Sequence, residues 1–72
     1  MTLPDLVPVE SRAVEAVGYD GARRELYIRY TGGAVYAYAD IGEDVHRALL
    51  AAESIGAFVN REIKPTYRYR RL

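Results

Sequence analysis

From Arg24 to Ala39 apolar and polar side chains alternate, broken only by Thr31-Gly32-Gly33. Leu26, Ile28 and Tyr30 share one face of a predicted strand, Arg24 to Tyr30, while Glu25, Tyr27 and Arg29 share the other, predicted to be solvated. The second run, Ala34 to Ala39, puts Tyr36 and Tyr38 on one face and Val35, Ala37 and Ala39 on the other. Two glycines between two alternating runs supply the positive φ that a tight hairpin turn requires. Upstream, Val14 and Val17 mark a third strand, Ala13 to Tyr19. Their spacing of three predicts a bulge or an irregular strand, and Gly18 points the same way.

The period changes after Asp40. Ile41, Val45, Ala48, Leu49 and Ala52 form one stripe at helical spacing, with Asp40 as the expected cap and Glu43 completing a capping box. Ser54 is the expected cap of a second, shorter helix reaching about Lys64, with Ile55, Phe58, Val59 and Ile63 inward and Glu62 intruding on that face. Pro65 ends it and should push Lys64 toward extended backbone. The predicted fold is α+β: a three-stranded antiparallel β-meander, then two short α-helices packed on one face, then an extended basic C-terminal tail from Thr66 to Leu72. Residues 1–10 form an N-terminal arm, and residues 11–72 a single domain. Locally joined strand pairs imply low contact order.

Composition narrows the class. Of 72 residues, 36 are apolar or tyrosine, but ten of those are alanines that bury little area. Leu, Ile, Val and Phe number 18, too many for a disordered chain, and the small size implies marginal stability. With no cysteine and one histidine, disulfide scaffolds, zinc fingers and thiol catalysis are excluded. No apolar run is long enough for a membrane span and the arm lacks a basic start, so a cytoplasmic protein is expected.

Candidate chemistry is sparse. Glu43 and His46 form a Glu-x-x-His step, but no second such motif accompanies it; a solvated helix face with a Glu43–Arg47 pair is the better account, and no metal or cofactor is expected. Neither Ser11 nor Ser54 lies in a nucleophile context, the acids are scattered, and no enzyme activity is expected. Charge distribution says more than net charge, which is zero. Residues 61–72 carry Arg61, Lys64, Arg68, Arg70 and Arg71 against Glu62, a net +4; residues 1–60 carry net −4. Tyr67 and Tyr69 interleave with those arginines, a pattern that suits single-stranded nucleic acid, with cations on phosphates and rings stacking bases. Tyr36 and Tyr38 offer a second platform if exposed. Because Val35, Ala37 and Ala39 would pack thinly, the two tyrosines are expected to be at least half buried.

These residues resemble the KTSC domain, named for its place at the C-terminus of some lysyl-tRNA synthetases and found also as a small bacterial protein. The resemblance rests on Val17-Gly18-Tyr19-Asp20, Leu26-Tyr27-Ile28, Gly33, Tyr36-Ala37-Tyr38, Ala52-Glu53-Ser54-Ile55-Gly56, Phe58, Asn60 and Tyr67-Arg68-Tyr69-Arg70-Arg71. It covers the chain from Val9 onward; Gly42 departs from the proline usual there. The resemblance implies RNA binding, suggested for the family by its attachment to a synthetase, and carries over no catalytic residue.

Two functions follow as expectations. One is a non-catalytic module for single-stranded RNA or tRNA, with Lys64, Arg68, Arg70 and Arg71 on phosphates and Tyr67, Tyr69, Tyr36 and Tyr38 available to stack. About four phosphate contacts would give a salt slope near −3. The alternative is a protein-interaction or homodimerising module using a free strand edge. A tail folded on the sheet would shield an edge, whereas a mobile tail would be free for phosphate.

Overall fold

The predicted hairpin appears with its register fixed by the two glycines. In this computed structural model, which describes residues 4–72, β3 (Glu25–Tyr30) and β4 (Val35–Tyr38) pair antiparallel, Ile28 opposite Tyr36 and Leu26 opposite Tyr38. Gly32 and Gly33 both have positive φ, 104° and 100°, and Gly33 N–H donates to the Tyr30 carbonyl at 2.9 Å. β2 (Val14–Asp20) pairs with β3, and its register shifts between Val14 and Ala16. That bulge at Glu15 explains the spacing of three: the extra residue lets Val14 and Val17 both join the core. Gly18 has a different task. A Cβ there would lie 2.6 Å from Leu6 Cδ2 and 2.9 Å from the Asp5 carbonyl oxygen, so the glycine admits the N-terminal arm. The arm adds a short β1 (Val7–Pro8) beside β2; its first three residues lie outside the described ones.

The main correction concerns the C-terminus. The segment expected as an extended tail is β5 (Tyr69–Arg71), antiparallel to β4, so the sheet has five strands in the order β1-β2-β3-β4-β5. Ala39 N–H donates to the Arg68 carbonyl at 2.8 Å and Leu72 N–H to the Val35 carbonyl at 2.9 Å. The Tyr/Arg alternation of the segment is what a strand needs, since it meets tyrosines on one side of β4 and Ala37 on the other. Closing β5 onto β4 pairs Tyr36 with Arg71, so this ladder is non-local, unlike the others.

The helices fill the connection between β4 and β5 and cover one face. α1 (Glu43–Ala51) begins later than expected. Asp40 is not its cap: it adopts positive φ, 61°, and the N-cap is Gly42, with no side-chain cap bond. The reason is Ile41, which is fully buried ahead of the helix, its N–H donating to the Arg24 carbonyl at 2.9 Å. The stripe is then carried by Val45 and Leu49, while Ala48 is exposed. Among the described residues Glu43 and Arg47 form no ion pair. His46 instead stacks on Tyr19, with ring centroids 4.5 Å apart. α2 (Ile55–Phe58) has the expected cap, Ser54 Oγ accepting from Ala57 N–H at 3.2 Å.

From α2 the chain continues as a π-helical turn, Val59–Ile63. The wider turn carries Glu62 off the buried Val59–Ile63 line into solvent beside Arg61. Lys64 closes the turn, its N–H donating to the Val59 carbonyl at 2.9 Å, and so keeps helical backbone (φ −57°, ψ −43°) where Pro65 alone predicted an extended residue. Val14, Val17, Leu26, Ile28, Tyr38 and Ile41 pack against Leu49, Ile55, Val59 and Ile63 to make the core.

The opposite face of the sheet is also closed, contrary to the solvated face expected of Glu25 and Tyr27. Glu25 is 9% and Tyr27 2% exposed. Gly18, Tyr27, Ala37 and Arg70 form one row across four strands, so small residues on either side leave room for the Tyr27 ring.

Candidate functional site

Strand register divides the three candidates in β5, Tyr69, Arg70 and Arg71, between the two faces of the sheet. Register puts Tyr69 opposite Tyr38 and Arg71 opposite Tyr36, on the helix side of the sheet. Arg70, opposite Ala37, falls on the other side. The tail is therefore two half-sites back to back.

On the helix side four tyrosines meet. Tyr38 is core, 2% exposed, and Tyr36 is half-buried, as the thin packing of their alternatives predicted. The Tyr36 ring meets Tyr30 edge-on with centroids 5.4 Å apart, and Tyr69 lies 5.4 Å from Tyr36 and 5.7 Å from Tyr38. Tyr69 itself is 59% exposed. The hydroxyls of Tyr30 and Tyr38 are hydrogen-bonded at 2.6 Å. Burial, reinforced by that bond, pushes the Tyr30 phenol well above its ordinary pKa. Burial raises Tyr38 too, although its bond to Tyr30 pulls the other way. Both hydroxyls therefore keep their protons at neutral pH. The exposed Lys64 reaches across from the end of the π turn, its Nζ 5.0 Å from the Tyr30 ring centroid. Between these groups and Ala34 is an open hollow of about 450 Å³.

On the other side the arginine is already engaged. Arg70 Nη1 donates to Glu25 Oε2, and Tyr27 Oη donates to Glu25 Oε1 at 2.8 Å. The hydrogen bond from Arg70, then that from Tyr27, holds the Glu25 carboxyl below the usual carboxylate range. Burial, then the Glu25 bond, raises the Tyr27 phenol. This trio fastens β5 to β3 across β4 and removes Arg70 from the cations open to a ligand. Arg68 is exposed beside Ala37 and Ala39 at the lip of a shallow dent, and Tyr67 is half-buried against the core.

Lys64, Arg68 and Arg71 have no carboxylate partner among the described residues. Lys64, Arg71, Tyr36, Tyr38 and Tyr69 are thus brought together, while Arg70 and Tyr67 are used by the fold. Sequence reasoning passed over Tyr30 as a site residue and missed the Glu25–Tyr27 partnership. Tyr30 was within reach of it, since a turn centred on Gly32-Gly33 sets Tyr30 on the same face as Tyr36. The partnership had no local signal, because Glu25 and Arg70 are 45 positions apart.

The sequence profile of the KTSC domain matches residues 10–67. The chain belongs to the KTSC domain family. A protein of Tsukamurella paurometabola is 54% identical over 61 residues, spanning 85% of this chain and 91% of the relative. An uncharacterized protein of Stutzerimonas stutzeri is 36% identical over 67 residues, 92% of this chain and 94% of the relative. The crystal structure of a KTSC domain protein from Yersinia pestis superposes with a TM-score of 0.89 at 30% identity, covering 94% of this chain and 96% of that one. The KTSC domain here therefore has relatives of matching length and a solved neighbour of matching fold. Among the described residues no helix is long and apolar enough to cross a membrane.

Proposed function

We propose that this KTSC domain is a non-catalytic binding module for single-stranded RNA, including unpaired segments of tRNA. The observation that carries the reading is Tyr69: a largely exposed ring, backed by Tyr36 and Tyr38, with Lys64 and Arg71, cations without a carboxylate partner among the described residues, on the same face. A ring held from behind and open in front can stack a base while the cations meet the flanking phosphates. Binding is by an ordered strand and not by a mobile tail, so little conformational entropy is lost on association.

Engagement of Arg70 by Glu25 revises the electrostatics. Two cations lie on the Tyr69 face without a carboxylate partner among the described residues, Lys64 and Arg71, and give a log–log salt slope of about −1.4 for a single strand, in place of the −3 expected from four; Arg68 lies on the other side with Arg70. The test is fluorescence anisotropy of labelled single-stranded RNA with the full chain at several salt concentrations. Saturable binding with a slope of about −1.4, weakened by Tyr69→Ala, supports the reading. No binding at low salt with protein in the hundreds of micromolar overturns it.

A second reading, association with a protein strand, is favoured by the open edge of β5. Arg68 and Leu72 make their backbone bonds inward to β4, so by antiparallel alternation the N–H and C=O of Tyr69 and Arg71 point outward. The charges of Arg68 and Arg71, unmatched by a carboxylate among the described residues, make that edge a poor partner for a second copy of itself, because the strands would set like charges together. Sedimentation at rising protein concentration distinguishes the cases: a monomer is expected, and a dimer with β5 amides newly protected from exchange would favour this second reading.

A further inference from the structure

The hollow between Tyr69 and Lys64 has a composition that selects its ligand, and we infer that it is a subsite for one nucleotide unit, taking the base against the open side of the tyrosine cluster and the phosphate at Lys64. The inference rests on the single-stranded RNA reading for its biological source but not for its chemistry, which comes from four features of the hollow.

The hollow's volume of about 450 Å³ lies within the range of small-molecule sites, roughly 300–1,000 Å³. Its walls are almost wholly aromatic, with Tyr30, Tyr36, Tyr38 and Tyr69 supplying ring faces or edges, which suits a planar conjugated ligand. Its one charged group is the ammonium of Lys64, which no carboxylate among the described residues neutralises, so an anionic group belongs at that end. The π turn delivers this cation, and such turns recur at functional sites.

The fourth feature is a proton count. Tyr30 and Tyr38, both in the lining, carry two hydroxyl protons but make one hydrogen bond to each other, so one proton has no acceptor among the described residues. It can donate to an acceptor on the edge of a base. A flat ring with an edge acceptor and an attached anion is a nucleotide. A free fatty acid or a simple sugar phosphate would leave the ring faces or the hydroxyl donor unmatched.

The same unit could arrive as a free mononucleotide or within a strand, and the experiment separates these. Isotope-labelled full chain is titrated with adenosine 5′-monophosphate, with inorganic phosphate and with a single-stranded octa-adenylate, following backbone amide and tyrosine ring resonances. The expected result is that the mononucleotide and the octamer both move the Tyr30, Tyr36 and Tyr69 ring signals, while phosphate alone does not. Tyr69→Ala should weaken the octamer roughly five- to a hundred-fold. Lys64→Gln, an exposed change that keeps the native spectrum, should weaken the mononucleotide several-fold. Tyr30→Phe leaves the Tyr38 proton free and should bind nearly as wild type, whereas the Tyr30→Phe/Tyr38→Phe double variant should lose several-fold.

If the octamer binds but the ring signals stay still and Lys64→Gln has no effect, the subsite is overturned while RNA binding stands. If the mononucleotide fills the hollow and the octamer does not bind, the subsite stands, its source is a free nucleotide, and the RNA reading falls. Equal shifts with inorganic phosphate would reduce the site to an anion contact and overturn the inference. Silence from all three ligands at millimolar concentration overturns both.

Discussion

The two faces of β5 carry the same kind of residue to opposite ends. On one, Arg70 is spent on Glu25, which in turn takes a hydrogen bond from the buried Tyr27. On the other, Tyr69 is mostly exposed, and Arg71 and Lys64 have no carboxylate partner among the described residues. The difference lies in what the neighbouring strand supplies. Opposite Arg70 stands Ala37, and beyond it Tyr27, so a long side chain can reach over to the carboxylate of β3. Opposite Tyr69 and Arg71 stand Tyr38 and Tyr36, which leave no room for inward reach and no acid to meet. A basic aromatic segment thus gives alternate residues to the fold and to the proposed binding face. Composition alone cannot apportion the two, because strand parity decides it.

The largest effect should come from the deepest tyrosine. Tyr38→Ala removes a core ring and orphans the Tyr30 hydroxyl, and should cost roughly 3–5 kcal/mol, as truncation of large core aromatics does. For a 72-residue domain that approaches the whole stability, on the order of 5 kcal/mol. Urea unfolding followed by tyrosine fluorescence would show a largely unfolded variant; a fully cooperative transition at the wild-type midpoint would mean that Tyr38 is not part of the core.

On the other face, Tyr27→Phe keeps the ring and deletes one hydrogen bond to Glu25, so a loss of about 1 kcal/mol is expected. The Glu25 carboxyl also predicts a pH dependence. Its pKa is lowered in the fold, so the unfolded chain binds the proton more readily. The stabilisation is complete above the ordinary carboxylate range, near 4.5, and fades as pH falls through the depressed folded value. Hydrogen exchange at β5 amides, corrected for intrinsic rates, should lose protection below that range in the wild type. In Glu25→Gln that dependence should vanish, and its persistence would move the cause to another acid.

How much of this was legible depends on how far each signal reaches along the chain. The β3–β4 hairpin, the Ser54 cap and the burial of Tyr36 and Tyr38 follow from patterns a few residues wide. Asp40 misled because a good capping residue was outweighed by Ile41, whose burial set where the chain could turn. Lys64 misled in a similar way: the rule for a residue before proline lost to the hydrogen bond that closes the π turn. β5 was hidden for a different reason. Its Tyr-Arg alternation is visible, but a charged three-residue strand has no apolar face of its own and is defined by β4, more than thirty positions away. The site shared that fate, since Lys64, Tyr30 and Tyr69 converge only once β5 is docked.

The smallest effect on stability belongs to the residue on which the proposed binding most depends. Tyr69 touches Tyr36 and Tyr38 with one side of its ring and solvent with the rest, and its backbone pairing with Tyr38 is unaffected by truncation. Tyr69→Ala should therefore shift stability by only about 0.5 kcal/mol. The comparison to make is with Tyr27→Phe in parallel urea titrations. If Tyr69→Ala costs clearly less while abolishing RNA binding, and Tyr27→Phe costs more while leaving binding intact at a concentration where both are folded, the two faces are separable. Should Tyr69→Ala prove as destabilising as Tyr27→Phe, the ring on the open face is holding β5 in place. Loss of binding would then report loss of the strand and not of a stacking partner, and the division between the faces would fail at its most exposed residue.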